Sequence, residues 1–466
     1  MPQTEDIEYI KDYEAYDCIN DSEDDDDFDP QDEPYEPSPE ELQNMGQNPF
    51  KAKVFDPETM LFDLAEARKT ETKFRESILS LMMSVLISSD KPNALLCGPA
   101  GCGKTKIVEE LAYRLKNSEN VVPQLKGYKI YALQLSDIVA DSGLMGDLEN
   151  KVKMLINYMS DQDEKRILFI DEIHKYPNWS RELKQIYDTY PDVQIRFTGS
   201  SILDIYKGTA DLSRRAPIYD MQGLSFREYL NMFHHMNIPV YTIDEILEHK
   251  VEIPQITHPL PLFIEYLQQG YYPFGKDKTF EIELDQVINQ TMEIDIPQYA
   301  NMNVSTGRKL KQLLMIISQS VPFKPVLQKL ADMIGVSRNY LANYLLYIEK
   351  AGMIAQLRDD TGGIRGLGKV EKIYIDNTNL IYALGRESTN IGNIRETFFY
   401  NQMRVKQEIT SSKISDFQIG ERTFEIGGKN KGQKQIEGLP KGYIVKDDIE
   451  SGYANIIPLW HFGMNY

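Results

Sequence analysis

The eight residues Gly98-Pro99-Ala100-Gly101-Cys102-Gly103-Lys104-Thr105 constrain this chain more than any other stretch. They follow a short apolar run, Ala94-Leu95-Leu96-Cys97, that reads as a buried strand, and they precede Ile107 to Leu115, which reads as a helix. Glycines at such a turn let backbone N–H groups curve around phosphate oxygens, and the helix N-terminus adds a positive dipole end. The pattern is a complete phosphate-binding loop. It predicts that Lys104 reaches the β- and γ-phosphates of ATP and that Thr105 ligates Mg²⁺. Gly98, Pro99, Ala100, Gly101, Cys102 and Gly103 would form the cradle. Cys102 reads as a small loop filler rather than a redox switch.

A second stretch completes the expected site. Ile167-Leu168-Phe169-Ile170 is an apolar strand that runs into Asp171-Glu172. Strand ends of this kind form the ligand edge of an α/β sheet. Two adjacent acids there would be costly without a cation to neutralise them. Asp171 is therefore expected to hold Mg²⁺ through water, and Glu172 to act as general base toward the attacking water. Ile195 to Ser201 is a further strand ending in hydroxyls, of which Thr198 or Ser200 would sense the γ-phosphate unless both are turn residues. Arg214 and Arg215 either supply an arginine finger to a neighbouring subunit or form an exposed basic pair.

Strand and helix alternate from about Phe50 to Leu224, which predicts an open parallel α/β sheet. Residues 231–322 read as mainly helical. Val326 starts a helix, Gly335-Val336-Ser337 makes a turn, and Arg338 to Ala351 is a second helix with Gly352 at its C-cap. Residues 323–375 thus read as a winged helix-turn-helix, with Gly362-Gly363 at the wing. Arg338, Asn339 and Asn343 open the second helix, where they would suit phosphates and base edges of DNA; packing within the protein is the competing use of this unit. The stretch from 376 to 466 mixes strands with one helix.

Charge is distributed unevenly. Residues 1–41 hold eighteen acidic residues against one basic residue, Lys11, so nearly all of the net charge of -20 lies in the head. With few aliphatic residues, residues 1–47 are expected to be a disordered acidic tail, either solvating or mimicking nucleic acid toward a basic groove. The remaining chain is nearly neutral, so the acidic total neither excludes nor supports a nucleic-acid partner. No apolar run approaches the roughly 20 residues of a membrane span. Three cysteines, Cys18, Cys97 and Cys102, make no disulfide framework, and no zinc-ligand spacing is present. These features predict a cytoplasmic protein with no membrane partner.

Two family resemblances follow from particular residues. Residues from about 62 to 174 resemble the first ATPase module of Clp-type AAA+ unfoldases, through Pro92 to Leu96, Ile107 to Ala112, Leu133-Gln134-Leu135, Gly146-Asp147-Leu148-Glu149 and Leu168 to His174. The family's pore loop carries an aromatic tip; the matching positions here are Leu144 and Met145. Residues from about 168 to 466 resemble bacterial and archaeal P-loop ATPases with a C-terminal restriction-endonuclease-like domain. That likeness runs through Lys175 to Ser180, Phe197 to Ser201, Asp211 to Arg215, Leu224 to Tyr229, Gly270-Tyr271-Tyr272-Pro273-Phe274, Arg395 to Phe399 and Phe424 to Lys429. The two meet at the strand before Asp171, so the chain reads as a hybrid. The second resemblance implies a metal site built from Glu396, Asp416, Glu425 and Lys429. Lys429 stands two positions later than the family pattern, so either the glycines at 427 and 428 bulge the strand and restore it, or, as the favoured reading, the site is inactive.

The expected architecture is therefore a P-loop ATPase domain over 48–230, a helical lid region over 231–322, a winged helix-turn-helix over 323–375 and an α+β endonuclease-like domain over 376–466. The expected activity is Mg-ATP hydrolysis that drives conformational change in the C-terminal modules. The alternatives are an ATP-switched DNA- or protein-binding scaffold with little turnover, and a metal-dependent nuclease coupled to the ATPase. Homo-oligomers and a protein client are further expected partners.

Overall fold

Among the described residues, six short strands organise the N-terminal half: β1 Phe62–Asp63, β2 Ala94–Cys97, β3 Lys129–Leu133, β4 Arg166–Ile170, β5 Ile195–Gly199 and β6 Ile218–Asp220. They form one sheet in the order β1-β3-β4-β5-β2-β6. β1 is antiparallel to β3, and the pairings β3–β4, β4–β5, β5–β2 and β2–β6 are parallel. Buried parallel strands read as continuous apolar runs because both faces are covered, and β4 follows this rule with Ile167, Leu168, Phe169 and Ile170 all buried. The computed structural model describes residues 56–69, 75–87, 94–133, 145–160, 164–171, 184, 188–189, 195–199, 218–300, 302–320, 326–360, 369–385 and 389–466.

Helices α1 Glu76–Leu86, α2 Lys104–Asn117 and α3 Met145–Met159 accompany this sheet. Along α2, Ile107, Val108, Leu111, Ala112 and Leu115 make an apolar stripe that is almost fully buried. Burying each of its larger side chains contributes about 1.5–3 kcal/mol. Arg114 closes the last turn, donating to Glu110 at 2.8 Å and to Glu76 at the start of α1 at 2.8 Å. That placement suits both the helix dipole and the packing of α1 against α2.

The C-terminal half begins at α4 Phe226–Phe233, whose start is set by a capping box between Ser225 and Glu228. Helices α5 Pro259–Gln269, α6 Phe280–Asn289, α7 Val304–Ser320, α8 Leu327–Met333 and α9 Arg338–Lys350 follow. Among the described residues a large apolar core runs from Phe226 through these helices to Met464, with a small separate cluster at Ile436, Ile444 and Ile456. In α9, Leu341, Tyr344, Leu345 and Ile348 enter that core. Ser337 caps the helix, and Gly352 turns the chain beyond it with φ of +74°.

After α9 comes an antiparallel ribbon, β7 Ile354–Arg358 with β8 Val370–Ile375. Two helices follow, α10 Thr378–Gly385 and α11 Ile391–Met403, where the sequence pattern led us to expect one. The first is a short, largely apolar segment whose periodicity does not separate it from a strand. A mixed sheet closes the chain, with β9 Thr410–Ser411, β10 Phe417–Ile419, β11 Arg422–Gly427, β12 Gly442–Lys446 and β13 Ile456–Pro458 in the order β13-β12-β11-β10-β9. No described helix is long and apolar enough to cross a membrane.

Candidate nucleotide site

The phosphate loop leaves β2 and enters α2 at the edge of the sheet where the parallel strands end. Gly101 and Gly103 hold φ of +78° and +93°, values that L side chains rarely adopt. At Gly98 a Cβ would come within 2.2 Å of the Met221 carbonyl oxygen, because the chain after β6 runs tightly beneath the loop. Met221 N–H donates to the Cys97 carbonyl at 2.7 Å and fixes that approach. Cys102 is fully buried in the core below the loop. Burial pushes the neighbouring Cys97 thiol well above its ordinary range, with Asp220 adding to the effect, so Cys97 is an unreactive packing residue.

Lys104 opens α2 and is almost wholly buried. Its ammonium donates to the carbonyls of Gly98 at 3.1 Å and Pro99 at 3.0 Å. The cation is thus held inside the curve of its own loop. One residue on, Thr105 Oγ1 donates to Asp171 Oδ2 at 3.0 Å. This bond joins the start of α2 to the end of β4 and brings together the two residues expected to hold Mg²⁺. The backbone geometry of the loop, the inward-facing ammonium and the hydroxyl–carboxylate pair fit a magnesium-bound nucleoside triphosphate.

Strand β5 lies between β2 and β4, with Thr198 in register with Leu96 and Phe197 in register with Ile170. Thr198 therefore sits near the end of a strand between the phosphate loop and Asp171. Glu172, Ser200, Arg214 and Arg215 lie outside the described residues.

The other sequence candidates are far along the chain. Arg338, Asn339 and Asn343 are exposed on the first turns of α9. Glu396, on α11, accepts from Lys372 Nζ at 2.9 Å and from the Tyr374 hydroxyl at 2.8 Å. Asp416 accepts from the same ammonium at 3.1 Å and from the Ile426 N–H at 2.9 Å. Burial pushes the Glu396 carboxyl above its ordinary range, with Asp416 adding to the rise and Lys372 opposing it. Glu425 is buried on β11 and pairs with Lys431, while Ser415 donates to it as well. Lys431, rather than Lys429, reaches Glu425; Lys429 is exposed, and its carbonyl accepts from Lys446 at 3.1 Å. The glycines at 427 and 428 do not swing Lys429 inward. Instead the chain returns with Lys431, whose stem lies where a Cβ on Gly427 would stand.

Among the described residues, no group of three or more His, Cys, Asp or Glu side chains is placed to hold a metal ion. Sequence reasoning missed Lys372 and Lys431, which neutralise these acids. The alternation that puts Lys372 and Tyr374 on one face of β8 was the available signal.

Residues 90–230 match the family described as AAA domain (AAA_14). Residues 260–392 match a domain of unknown function (DUF8612). The uncharacterized protein MJ1637 of Methanocaldococcus jannaschii is 27% identical over 310 residues, which is 63% of each chain. Chaperone protein ClpB of Rhodopirellula baltica is 39% identical over 116 residues, covering 24% of this chain and 13% of the chaperone. ClpB of Bacteroides thetaiotaomicron is 35% identical over 262 residues, covering 51% of this chain and 28% of the chaperone. The chain thus spans less than two thirds of these relatives.

The AAA match runs unbroken through β4, where the two resemblances meet, and the Bacteroides ClpB similarity covers more of the chain than the 62–174 stretch. The S. cerevisiae Hsp104-ADP complex is 21% identical with a TM-score of 0.37, over 64% of this chain and 41% of that one. The AAA match and the ClpB relatives support an ATP-binding AAA+ protein built on an α/β P-loop sheet.

Proposed function

We propose that this protein hydrolyses Mg-ATP at the Gly98–Thr105 loop and uses the cycle to change the conformation of its C-terminal half. The observation that carries this reading is the Thr105–Asp171 hydrogen bond at 3.0 Å beside the buried Lys104 ammonium. Bound Mg-ATP supplies a metal-polarised triphosphate. This chain's own groups then divide the work. Lys104 would exchange its loop carbonyls for phosphate oxygens, Thr105 and Asp171 would hold the metal, and Glu172, next in sequence to Asp171, would take the proton of the water that attacks the γ-phosphorus as the bond to the β-phosphate oxygen breaks and ADP leaves. Thr198 or Ser200 contacts the γ-phosphate. Arg214 or Arg215 acts on a site in a neighbouring subunit, which makes the active form a homo-oligomer.

Glu172→Gln keeps a side chain of the same shape without a basic carboxylate, so it should bind ATP as the wild type does and lose turnover. Unchanged steady-state ATPase activity in that variant would remove Glu172 from the role of base. A rate per subunit that rises with protein concentration supports shared sites; a flat rate opposes them. A protein client is part of this reading through the ClpB similarity, and a cytoplasmic location accords with it.

A second reading concerns the helix-turn-helix. Arg338, Asn339 and Asn343 are exposed at the start of α9, the end of a second helix that would meet phosphates and base edges. Residues 303–360 contain eight basic and four acidic residues in a chain of net charge -20. On this reading the partner of that face is DNA, tested by binding to a duplex at two salt concentrations. The acids Glu396, Asp416 and Glu425 are read as an inactive site, since two lysine ammoniums already pair with them. Duplex cleavage that is lost in Glu425→Ala would overturn that.

A further inference from the structure

The Gly270-Tyr271-Tyr272-Pro273-Phe274 motif has no part in the reading above, and the structure lays it against the phosphate loop. A Cβ on Gly101 would stand 2.9 Å from Phe274 Cε1 and 3.5 Å from Tyr272 Cδ1. On Gly103 it would stand 3.4 Å from Pro273 Cγ. Both glycines lie in the stretch whose backbone N–H groups must turn to phosphate oxygens. The motif is itself anchored deep in the C-terminal half. Tyr271 N–H donates to Asn379 on α10 at 2.8 Å, and the Tyr271 carbonyl accepts from Leu224 at 2.7 Å. Tyr271 and Tyr272 are each 1% exposed. The Phe274 ring packs, tilted, between Tyr272 at 5.3 Å and Phe280, the first residue of α6, at 5.7 Å between ring centroids.

We infer that Phe274 is a positioning residue of the phosphate loop, through which α6 responds to whether phosphates are bound; the inference rests on the nucleotide reading above. Lys104 now satisfies the carbonyls of Gly98 and Pro99. Triphosphate would take that ammonium and draw the N–H groups of Gly101 to Lys104 inward. A ring in van der Waals contact with Gly101 cannot stay in place while that backbone moves, because close-packed groups shift together rather than deform. Gly352 makes a second contact of this kind, where a Cβ would meet Pro99 Cγ at 2.8 Å, so the loop is flanked by the C-terminal half at two points.

The test uses the full chain as wild type, Phe274→Ala, Phe274→Tyr and Lys104→Ala. Titration with Mg-ATP gives Kd, and amide hydrogen exchange with and without Mg-ATP gives the response of residues 280–289. Phe274→Ala should weaken ATP binding roughly fivefold, the order expected for losing one aromatic packing contact, and should abolish the ATP-dependent change in exchange at α6. Phe274→Tyr, which keeps the ring, should restore both. A merely structural role would change exchange equally with and without ATP, and that result overturns the inference. So does wild-type Kd and wild-type ATP response in Phe274→Ala, with the nucleotide reading left standing. Failure of the wild-type chain to bind ATP any better than Lys104→Ala overturns the nucleotide reading and this inference together.

Discussion

Replacing Lys372 by methionine probes the acidic cluster of the C-terminal half most sharply. The ammonium lies 2.9 Å from Glu396 and 3.1 Å from Asp416, and the three side chains are 28%, 17% and 18% exposed. Removing one member of a fully buried ion group costs about 3–5 kcal/mol, since the other charges are left without compensation. Water reaches this group in part, so a loss of about 2 kcal/mol is expected near neutral pH.

The pH dependence of that loss has a definite sign. Glu396 already has a raised folded-state pKa through burial and Asp416, and loss of the ammonium raises it further. Between the ordinary carboxylate range and the raised value, the folded protein holds a proton that the unfolded chain has released. Stability therefore falls as pH rises through that window. Urea unfolding of the full chain should show a larger deficit for Lys372→Met at about pH 8 than at about pH 5.5. A deficit below about 0.5 kcal/mol at both pH values, or a larger one at the lower pH, would refute the view that this ammonium neutralises the two acids.

Three further outcomes are expected. His461 is buried, and burial, with His249 nearby, holds its pKa down to about 3; the wild-type chain should lose stability as pH falls from about 6.5 toward 3, because only the unfolded state takes up the proton there. His461→Phe should flatten that slope in thermal unfolding, and an unchanged slope would assign it to other groups. Gly352→Ala places a Cβ 2.8 Å from Pro99 Cγ at a φ of +74°, so it should destabilise by about 1–2 kcal/mol; a neutral result in denaturant unfolding would contradict the close approach of α9 to the phosphate loop. Arg338→Ala should weaken duplex binding across sequences and lower the salt slope by about 1 if this residue meets a phosphate, whereas unchanged binding would move DNA off this face.

The phosphate loop was legible because its chemistry permits few alternatives. Gly101 and Gly103 mark left-handed backbone, and the apolar strands before the loop and before Asp171 announce their own burial. The order of strands was not legible, since β5 enters between β2 and β4 from a later part of the chain. Nor was the contact of Phe274 with Gly101, which joins residues distant in sequence through packing that carries no periodic signal. In the C-terminal half, Glu396, Asp416 and Glu425 stood out as acids, yet their neutralising lysines did not. Lys372 comes from a separate ribbon, and Lys431 displaces Lys429 only because the glycines at 427 and 428 let the chain turn back. Helix α10 was missed for a different reason, namely that a short apolar segment fits helix and strand alike.

Every role assigned to Lys104, Thr105 and Asp171 requires a triphosphate seated on the Gly98–Thr105 loop. Calorimetric titration of the full chain with Mg-ATP, beside Lys104→Ala, measures that directly. The wild type should bind at one site per chain. Lys104→Ala removes a charge-assisted contact worth about 1.5–3 kcal/mol, so its Kd should rise about tenfold or more. Equal affinity in the two proteins, or no heat of binding in either, would mean that this loop seats no triphosphate.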